Sequence, residues 1–538
     1  MRLVRLFLSE TYTRRWLLLA CLVLQGVGTM VVIAMVGDTY HEVEFTLEFR
    51  QLGYFLLGAV VIVFASYQYR RLTIAGSEEL IQKIRDRYAE MLPQSDLQVM
   101  EGGGSTHTYD VIARSTTTLT EATVQIVGGT QAATTFVAMS LYILYLSPLA
   151  FAVLLVIVAT MYLHHRYTRP SNAAHFKTAS EAEARFFGLL SHVVWGFKEI
   201  KMNSQRAEEI EREFLFPAST YARDAKIHAN NQVLKGQLIG DALFYVLWAT
   251  VVFVIPQYLD DRDKIFSLVL SVTYMLQAFG GVVQTYPALS HVDSAFAQLD
   301  ELEARLRHDH REPDQKSGLI DPAFDSIQMS ALIFDHRTES GQTVFTLGPC
   351  DLKLRAGQVV VFRGGNGSGK STLLKTLAFL YRPRSGAILW DGVPVGRNNV
   401  ADYRNLFATV FWDFHLFDRL YGLPQRTDAE VNGLLEEFGI NHLTRYENGA
   451  FARTDLSTGQ RKRLALAVAI LERRPILIFD EVAAEQDAEF RDSFYRKVVP
   501  RLKAEGHTVL IASHDDRYFD VADQIILMRD GRIVEEDT

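Results

Sequence analysis

The first half of the chain contains long apolar runs that carry no charge or a single one. Six segments have this character: residues 16–36, 52–69, 122–146, 148–164, 238–259 and 265–286. Each reaches or exceeds the roughly 17 residues with which a helix can cross a bilayer. Ser147-Pro148 interrupts the longest uncharged run, 122–163, and is a natural break between two helices. The pattern predicts a membrane domain of six helices within residues 1–310.

The charged residues beside these segments predict their orientation, because Lys and Arg near membrane ends are retained on the cytoplasmic side. Arg14 and Arg15 precede the first segment, and Arg70 and Arg71 follow the second. The loop between these two segments is mainly acidic, with four carboxylates: Asp38, Glu42, Glu44 and Glu48. Six crossings therefore return the chain to the cytoplasm before the second half begins.

The start of the chain, charged residues followed by an apolar run, has the outline of a signal peptide. No small-residue cleavage site follows that run, and five further membrane segments do. We interpret the run as a retained membrane anchor.

The two inward loops and the region after the last membrane segment have a different pattern. Residues 77–91, 179–194 and 199–214 show helical spacing with mixed charge, which predicts cytoplasmic extensions of the membrane helices. Residues 305–322 are polar and charged, as in a linker. A mixed α/β domain is expected to follow at 323–538.

Composition adds limits to this picture. The chain of 538 residues is 48% hydrophobic and 22% charged, so it is not a disordered protein. Its mean hydropathy of +0.04 averages an apolar half and an ordinary soluble half. The formal net charge of −8 supplies no basic field for nucleic acid, and we expect no nucleic-acid partner. Two cysteines, Cys21 and Cys350, are too few for a disulfide framework or a zinc site.

The second half contains a glycine-rich loop directly after an apolar strand at 358–363. We call residues 364–372 the phosphate loop; they are Gly364, Gly365, Asn366, Gly367, Ser368, Gly369, Lys370, Ser371 and Thr372. Glycines let backbone amides turn inward around a β-phosphate, and the N-terminus of the following helix favours negative charge. Lys370 is placed to reach the β- and γ-phosphate oxygens, and Ser371 to offer its hydroxyl to magnesium.

A second apolar strand, at 476–479, ends in Asp480-Glu481. Two acids after a strand are common caps, but together with a phosphate loop they suit phosphoryl transfer. In that interpretation Asp480 holds magnesium, mainly through water, and Glu481 polarises the attacking water.

Between these two elements lies Leu456-Ser457-Thr458-Gly459-Gln460, and His514 follows a further strand at 508–512. We call residues 456–460 the signature. The order of phosphate loop, signature, Asp-Glu pair and histidine resembles that of the ATP-binding cassette (ABC) proteins over residues 325–538. The resemblance implies that Ser457 and Gly459 bind the γ-phosphate of ATP held by a second copy, and that Gln460 is also a nucleotide-binding residue. It also implies that His514 contacts the γ-phosphate and water, and that Asp487 belongs to a loop at the dimer contact.

Three positions fit the family pattern less well. The aromatic residue that stacks on adenine has two candidates, Phe334 and His336, and His336 lies nearer the expected place. The family's magnesium-contacting glutamine is replaced by Trp412, beside Asp413. Either Asp413 takes that role, directly or through water, or the contact is dispensable. Before Asp487, residues 484–486 read Ala-Glu-Gln rather than the usual Ser-Ala-Leu.

Six predicted spans followed by one cassette resemble the exporter-type half-transporters. That resemblance implies an all-α six-helix transmembrane domain followed by an α/β P-loop nucleotide-binding domain. It also implies ATP and Mg²⁺ as cofactors, a homodimer with two equivalent sites, and a bacterial inner membrane with the cassette in the cytoplasm.

The segments 196–201, 410–420 and 454–466 are similar to the cyclic-peptide and siderophore (pyoverdine-type) export group. The substrate implied is a small peptide-like or siderophore-precursor molecule, moved by alternating access in contact with membrane lipid. Two alternatives remain open: an exporter of lipids or amphiphilic drugs, and a membrane ATPase that regulates a partner without transport.

Polar residues within the membrane segments are candidates for the substrate path. Asp241 is the sharpest, because a carboxylate at bilayer depth usually faces a cavity, although it lies near one end of its segment and could snorkel. Gln25, Gln131, Tyr274 and Gln277 either line that cavity or join helices by hydrogen bonds.

Overall fold

The computed structural model describes residues 15–39, 49–101, 104–258, 262–307, 323–338, 342–423 and 426–534. They form two compact units, one within Met1–Arg87 and Asp110–Glu301 and the other within Tyr88–Tyr109 and Leu302–Thr538. Most of the predicted linker, from residue 308 onward, lies outside the described residues, as do the acidic residues of the first outer loop from Glu42 to Glu48.

The first unit is helical. Its long helices are α1 Arg15–Thr39, α2 Phe49–Met91, α3 Gly104–Leu146, α4 Pro148–Trp195, α5 Phe216–Ala249 and α6 Arg262–Arg307. Among the described residues, six helices are long and apolar enough to cross a membrane, as the sequence predicts. Helices α2 and α4 run beyond the apolar segments and include the predicted extensions 77–91 and 179–194.

The break between α3 and α4 falls at Ser147, as predicted. Ser147 has extended backbone angles, and its side chain accepts a hydrogen bond from the Ala150 amide at 3.3 Å. Pro148 occupies the first helical position, where the amide hydrogen that proline lacks would have no helical partner. The Ser-Pro pair therefore ends one span and begins the next.

The predicted helix at 199–214 is divided in the structure. Helices Phe197–Lys201 and Ser204–Glu209 are separated at Asn203, whose side chain accepts from the Arg206 amide at 3.1 Å. A π-helical turn, Ile210–Leu215, then leads into α5. Asparagine competes with the helical backbone for hydrogen bonds, which explains why a continuous helical pattern breaks there. A second π turn, Thr250–Val254, and a 3-10 turn, Ile255–Gln257, follow α5.

Polar side chains inside the helical unit join helices. Tyr69 Oη lies 2.6 Å from Thr130 Oγ1, and Arg70 Nε donates to Gln131 Oε1 at 2.9 Å, so both pairs link α2 to α3. Many large apolar residues, in contrast, face outward. Apolar surface of this extent suits lipid contact.

The second unit contains two main sheets. The first has strand order β2-β1-β4-β5, with β1 Ser326–Arg337, β2 Thr343–Arg355, β4 Ser385–Trp390 and β5 Val393–Pro394, all antiparallel. The second has order β12-β11-β3-β10-β9-β6, with β3 Val359–Arg363, β6 Phe407–Val410, β9 Ile476–Asp480, β10 Thr508–Ala512, β11 Gln524–Arg529 and β12 Arg532–Val534. A hairpin, β7 Tyr446–Glu447 with β8 Ala450–Phe451, is separate.

In the part of the second unit that the structure describes, these sheets are accompanied by α7 Lys370–Leu377, α8 Val400–Arg404, α9 Asp428–Glu437, α10 Thr458–Leu471, α11 Ala488–Ser493 and α12 Val499–Ala504. A π turn, Phe494–Val498, joins α11 to α12, and a 3-10 turn, Asp516–Val521, follows β10.

The six-stranded sheet is buried on both faces. Along β3, Val359 and Val361 belong to one hydrophobic cluster, and Val360 and Phe362 belong to another. This alternation follows from the two-residue period of a strand. Strands β3, β10 and β9 are neighbouring and parallel, so the residues after their carboxyl ends meet at one edge of the sheet.

Residues 88–109 belong to the second unit, although the sequence places them within the 1–310 region. They contain a 3-10 turn, Leu92–Gln94, and a short helix, Leu97–Met100. The Asp96 side chain caps this helix by accepting from the Gln98 amide at 3.1 Å, and Leu97 packs against the core. No local sequence signal indicates this docking, because it depends on residues far along the chain.

Candidate nucleotide-binding and catalytic site

The phosphate loop lies between β3 and α7, at the carboxyl edge of the sheet. Two of its glycines are required by the space around them. A Cβ at Gly364 would lie 2.5 Å from the Met528 carbonyl oxygen, and Gly369 has a φ of +99° with a Cβ position 3.0 Å from Phe345. A larger residue at either position would displace the loop. The strand-loop-helix context predicted from the sequence is confirmed.

Lys370 is buried within this loop. Its Nζ donates to the carbonyl oxygens of Gly364 and Gly365, at 2.8 and 3.0 Å. The ammonium group is therefore held beside the phosphate loop, close to the N-terminus of α7. A fixed cation beside a helix N-terminus is suited to bind an anionic phosphate.

Asp480 ends β9 and is 1% exposed. Neither of its Oδ atoms forms a hydrogen bond with any residue that the structure describes. Burial raises the pKa of this carboxyl group, while the Ser371 side chain and the Lys370 and Lys375 ammonium groups act in the opposite direction. A buried carboxylate without a partner, near a serine hydroxyl, fits Mg²⁺, which prefers such oxygen ligands.

Glu481 and His514 lie together at this edge. Glu481 has a positive φ of 54°, an uncommon conformation for glutamate, and its amide donates to the Ala512 carbonyl at 3.1 Å. Both side chains line a cavity of 280 Å³. Glu481 also lines a cleft beside the phosphate loop, so the structure brings the candidate base and the candidate phosphate contacts together.

The cleft has a volume of 460 Å³ and is lined by the phosphate loop, Glu481 and four aromatic side chains: His336, Phe345, Tyr381 and Trp412. Phe334, the other candidate for adenine stacking, is instead buried against Tyr381, with ring centroids 4.6 Å apart. The sequence reasoning missed Phe345 and Tyr381. Phe345 pairs with His336 across β1 and β2, and the strand register would have indicated it.

Asp413 is held in an ion pair. Its Oδ2 accepts from Lys375 Nζ at 3.0 Å, and the same ammonium donates to Glu101 Oε1 at 2.8 Å. The neighbouring Trp412 is 62% exposed and lines the cleft. The indole supplies an apolar wall there and no metal ligand.

The signature residues stand apart from this cleft. Ser457 precedes α10, and its amide donates to Gln460 Oε1 at 3.1 Å, so Gln460 caps the helix. Of the described residues that line the cleft, none belongs to the signature. Ser457 and Gly459 therefore do not complete the site of their own chain.

The unusual residues 484–486 contact the signature helix. Gln486 Nε2 donates to the Gly459 carbonyl at 2.9 Å, and Gln486 Oε1 accepts from Arg463 Nε at 2.9 Å. Glu485 lies 3.4 Å from Lys462 Nζ. The departure from the family pattern thus produces polar bonds between the loop after Glu481 and the signature. Asp487 adds an ion pair with Arg463.

Comparison with known proteins agrees with this geometry. Residues 347–484 match the family described as ABC transporter. The "ATP-binding protein SyrD" of Pseudomonas syringae pv. syringae is 29% identical over 534 residues, which cover 95% of this chain and 92% of SyrD. An "ATP-dependent lipid A-core flippase" of Burkholderia orbicola (strain AU 1054) is 28% identical over 65% of this chain and 59% of the flippase.

The fold is similar to that of a bacterial Atm1-family ABC exporter solved with ATP bound. The TM-score is 0.74 at 18% sequence identity, and the match covers 98% of this chain and 95% of the solved one. The matched domain contains the phosphate loop, Asp480 and Glu481, and six apolar helices precede it. Residues 347–484 therefore form an ABC transporter ATPase domain, and the chain as a whole has the fold of an ABC exporter, six apolar helices followed by this domain. The domain couples ATP hydrolysis to transport.

Proposed function

We propose that this protein exports a small peptide-like or siderophore-precursor molecule across the bacterial inner membrane, as a homodimer that works by alternating access. The observation that carries the proposal is the cluster of phosphate loop, Asp480 and Glu481 at one sheet edge, in a chain that also contributes six apolar helices. The peptide-like substrate rests on the sequence similarity of segments 196–201, 410–420 and 454–466 to that export group.

The homodimer is supported by the position of the signature. Ser457 is exposed at the start of α10 and does not line the cleft of its own chain. A second copy that offers its Ser457 and Gly459 to this cleft completes the site, and by symmetry the first copy does the same. ATP then stabilises the closed pair of cassettes more than the open one, which is the differential contact that a conformational cycle requires.

Within each site, roles follow from position. Lys370 and the loop amides from Gly364 to Thr372 bind the phosphates, and His336 contacts the adenine base. Ser371 and Asp480 hold Mg²⁺, which neutralises phosphate charge when bound. Glu481 orients and polarises the attacking water, and His514, which lines the same cavity, stabilises the γ-phosphate.

A lipid substrate is the second candidate function. The flippase relative, whose name gives lipid A-core as its cargo, aligns with 65% of this chain. Outward-facing apolar residues on the membrane helices also provide lipid contact, but every membrane protein has such a surface. The lipid alternative therefore rests on the relative alone.

Transport into inside-out membrane vesicles tests the proposal. Vesicles with the parent protein, Glu481→Gln or Glu489→Gln are supplied with ATP and labelled candidates: a cyclic peptide, a siderophore precursor and a lipid. Glu489 is an exposed acid on α11 and serves as the matched control. We expect ATP-dependent accumulation of the peptide-like probe with the parent and the control. With Glu481→Gln, hydrolysis should fall at least about 100-fold, because a general base typically contributes that much or more.

Accumulation of only the lipid would favour the alternative substrate. Equal accumulation of every probe with the parent and Glu481→Gln would contradict transport, and unchanged ATP hydrolysis in Glu481→Gln would contradict the role of that residue.

A further inference from the structure

A charge cluster centred on the buried Lys375 connects the segment between α2 and α3 to the ATPase core. At its centre is Lys375 of α7, whose side chain is 7% exposed. Its Nζ donates to Glu101 Oε1 at 2.8 Å and to Asp413 Oδ2 at 3.0 Å. The second carboxylate oxygen of Glu101 accepts from Tyr381 Oη at 2.5 Å. Glu101 thus contacts two residues of the ATPase domain with its two oxygens.

The residues in this cluster belong to functional parts of the domain. Lys375 lies on the helix that begins with the phosphate loop, and Tyr381 lines the nucleotide cleft. Glu101 follows the short helix Leu97–Met100, which also contacts the domain through Gln98 Nε2 and the Asp335 carbonyl, 3.4 Å apart. The segment between α2 and α3 is therefore attached to the wall of the cleft.

The charges explain why the attachment is specific. Burial works against the charged form of Lys375, but the hydrogen bonds that its ammonium group donates to Glu101 and Asp413 outweigh burial and raise the pKa of Lys375. Burial and the Glu101 carboxylate raise the pKa of Tyr381, so its hydroxyl remains a donor. Removal of one partner from a buried ion pair leaves an uncompensated charge and is strongly unfavourable.

This arrangement also limits what Asp413 can do. Its carboxylate is 37% exposed and is bound to the Lys375 ammonium. A magnesium ion at Asp413 would have to compete with that cation, while Asp480 has two buried oxygens without hydrogen bonds to the described residues. Asp480 is the better ligand on this ground.

We propose that Glu101 is a positioning residue of the ATP site: through Lys375 and Tyr381 it fixes α7 and the aromatic wall of the cleft, and Asp413 completes this cluster instead of binding magnesium. The inference rests on the proposed roles of the cleft residues in ATP hydrolysis.

Kinetics of the purified full-length protein test the proposal. For Glu101→Gln we expect kcat to fall by between about 5- and 100-fold, because small displacements of an active site have effects of that size. Glu101→Asp should recover part of the loss. Glu90→Gln, an exposed acid at the end of α2, is the matched control and should behave as the parent. A kcat for Glu101→Gln equal to that of Glu90→Gln would overturn the proposal.

The magnesium dependence separates the two roles of Asp413. In Asp413→Asn, kcat should fall because Lys375 loses one of its partners. The Mg²⁺ concentration for half-maximal activity should stay within about twofold of the parent value, a difference of well under 1 kcal/mol, because no metal ligand is removed. A large increase in that concentration would show that Asp413 is a metal ligand and would overturn its part of the proposal.

Hydrogen exchange provides a readout that needs no turnover. In the nucleotide-free full-length protein, amides of residues 92–101 should exchange faster in Glu101→Gln and in Lys375→Met than in Glu90→Gln, because the segment loses its attachment. The double variant should exchange no faster than the faster single variant. Equal exchange in all variants contradicts the cluster, whereas a parent protein without ATPase activity but with this exchange pattern contradicts only the proposed function.

Discussion

The membrane helices and the ATPase domain both bury polar side chains, but they use them differently. In the helical unit, Arg70 with Gln131 and Tyr69 with Thr130 form pairs that join α2 to α3. In the ATPase unit, Asp480 is a buried acid without a hydrogen bond to any described residue, and burial raises its pKa. A paired polar group stabilises architecture, while an unpaired buried charge costs free energy and marks a place where a ligand is expected.

This difference explains why the chemistry of the chain is easier to assign than its cargo. The helical unit also contains buried polar atoms without partners among the described residues, Gln25 Oε1 and Gln131 Nε2, but these groups are neutral. A neutral amide costs much less to bury than a carboxylate and does not by itself indicate a binding site. Asp241, the sharpest substrate candidate from the sequence, is exposed on α5, and its role stays a prediction.

Replacement of Asp480 should have the largest effect, on both ATP hydrolysis and the free energy of unfolding, and it tests the role of the unpaired group in this comparison. With Asp480→Asn we expect Mg²⁺-dependent hydrolysis to fall at least about 100-fold, because charge stabilisation around the phosphates is lost. Without nucleotide and Mg²⁺, the same change should raise the free energy of unfolding by about 1–3 kcal/mol at neutral pH, since it removes a charge whose burial outweighs the attraction of Lys370 and Lys375. Measurements of ATPase activity and thermal unfolding check both.

The pH dependence of stability has a definite sign here. The pKa of Asp480 is higher in the folded protein than in the unfolded chain, so the folded state binds more protons between the two values. The parent should therefore lose stability as pH rises through that interval, and Asp480→Asn should lack this loss. Asp492→Asn, an exposed acid on α11, is the control and should retain the parent profile. A destabilised Asp480→Asn protein would contradict the interpretation of Asp480 as a buried charge that its neighbours only partly offset.

The parts of the fold and of the site that the sequence predicts are those encoded by neighbouring residues. The phosphate loop, the Asp480-Glu481 pair and the Ser147-Pro148 break each depend on a strand or helix and the residues beside it. Lys375 and Glu101 are 274 positions apart, and no local pattern indicates that they meet. Likewise, Phe345 reaches the cleft through its register with His336. The cavity between membrane helices depends on helix packing for the same reason, so a residue pattern does not define the cargo.

A moderate effect on ATP hydrolysis is expected when Gln486 is replaced, because this residue connects the loop after Glu481 to the signature. Gln486→Leu, the residue usual for the family, removes the bonds to Gly459 and Arg463. We expect kcat to fall by about 2- to 10-fold, as the loss of one or two hydrogen bonds implies, with the binding of ATP little changed. Gln486→Glu keeps an acceptor for Arg463 but loses the donor to Gly459, so its kcat should lie between that of the parent and that of Gln486→Leu. Unchanged kcat in Gln486→Leu would show that the bonds to the signature are not functional.

The smallest effect is expected at Gln131, where the comparison between paired and unpaired groups can be broken most directly. Gln131→Leu removes the partner of Arg70, and hydrogen bonds between membrane helices contribute about 0.6 kcal/mol on average. Thermal stability should therefore decrease slightly, while ATP hydrolysis and vesicle uptake remain close to those of Thr160→Val, an exposed control on α4. If uptake instead fell at least about tenfold with hydrolysis intact, a difference of 1.4 kcal/mol or more, Gln131 would contact the cargo. In that case its unpaired Nε2 would be a binding group. Neutral buried atoms in the membrane unit would then indicate ligand binding, as the Asp480 carboxylate does in the ATPase domain.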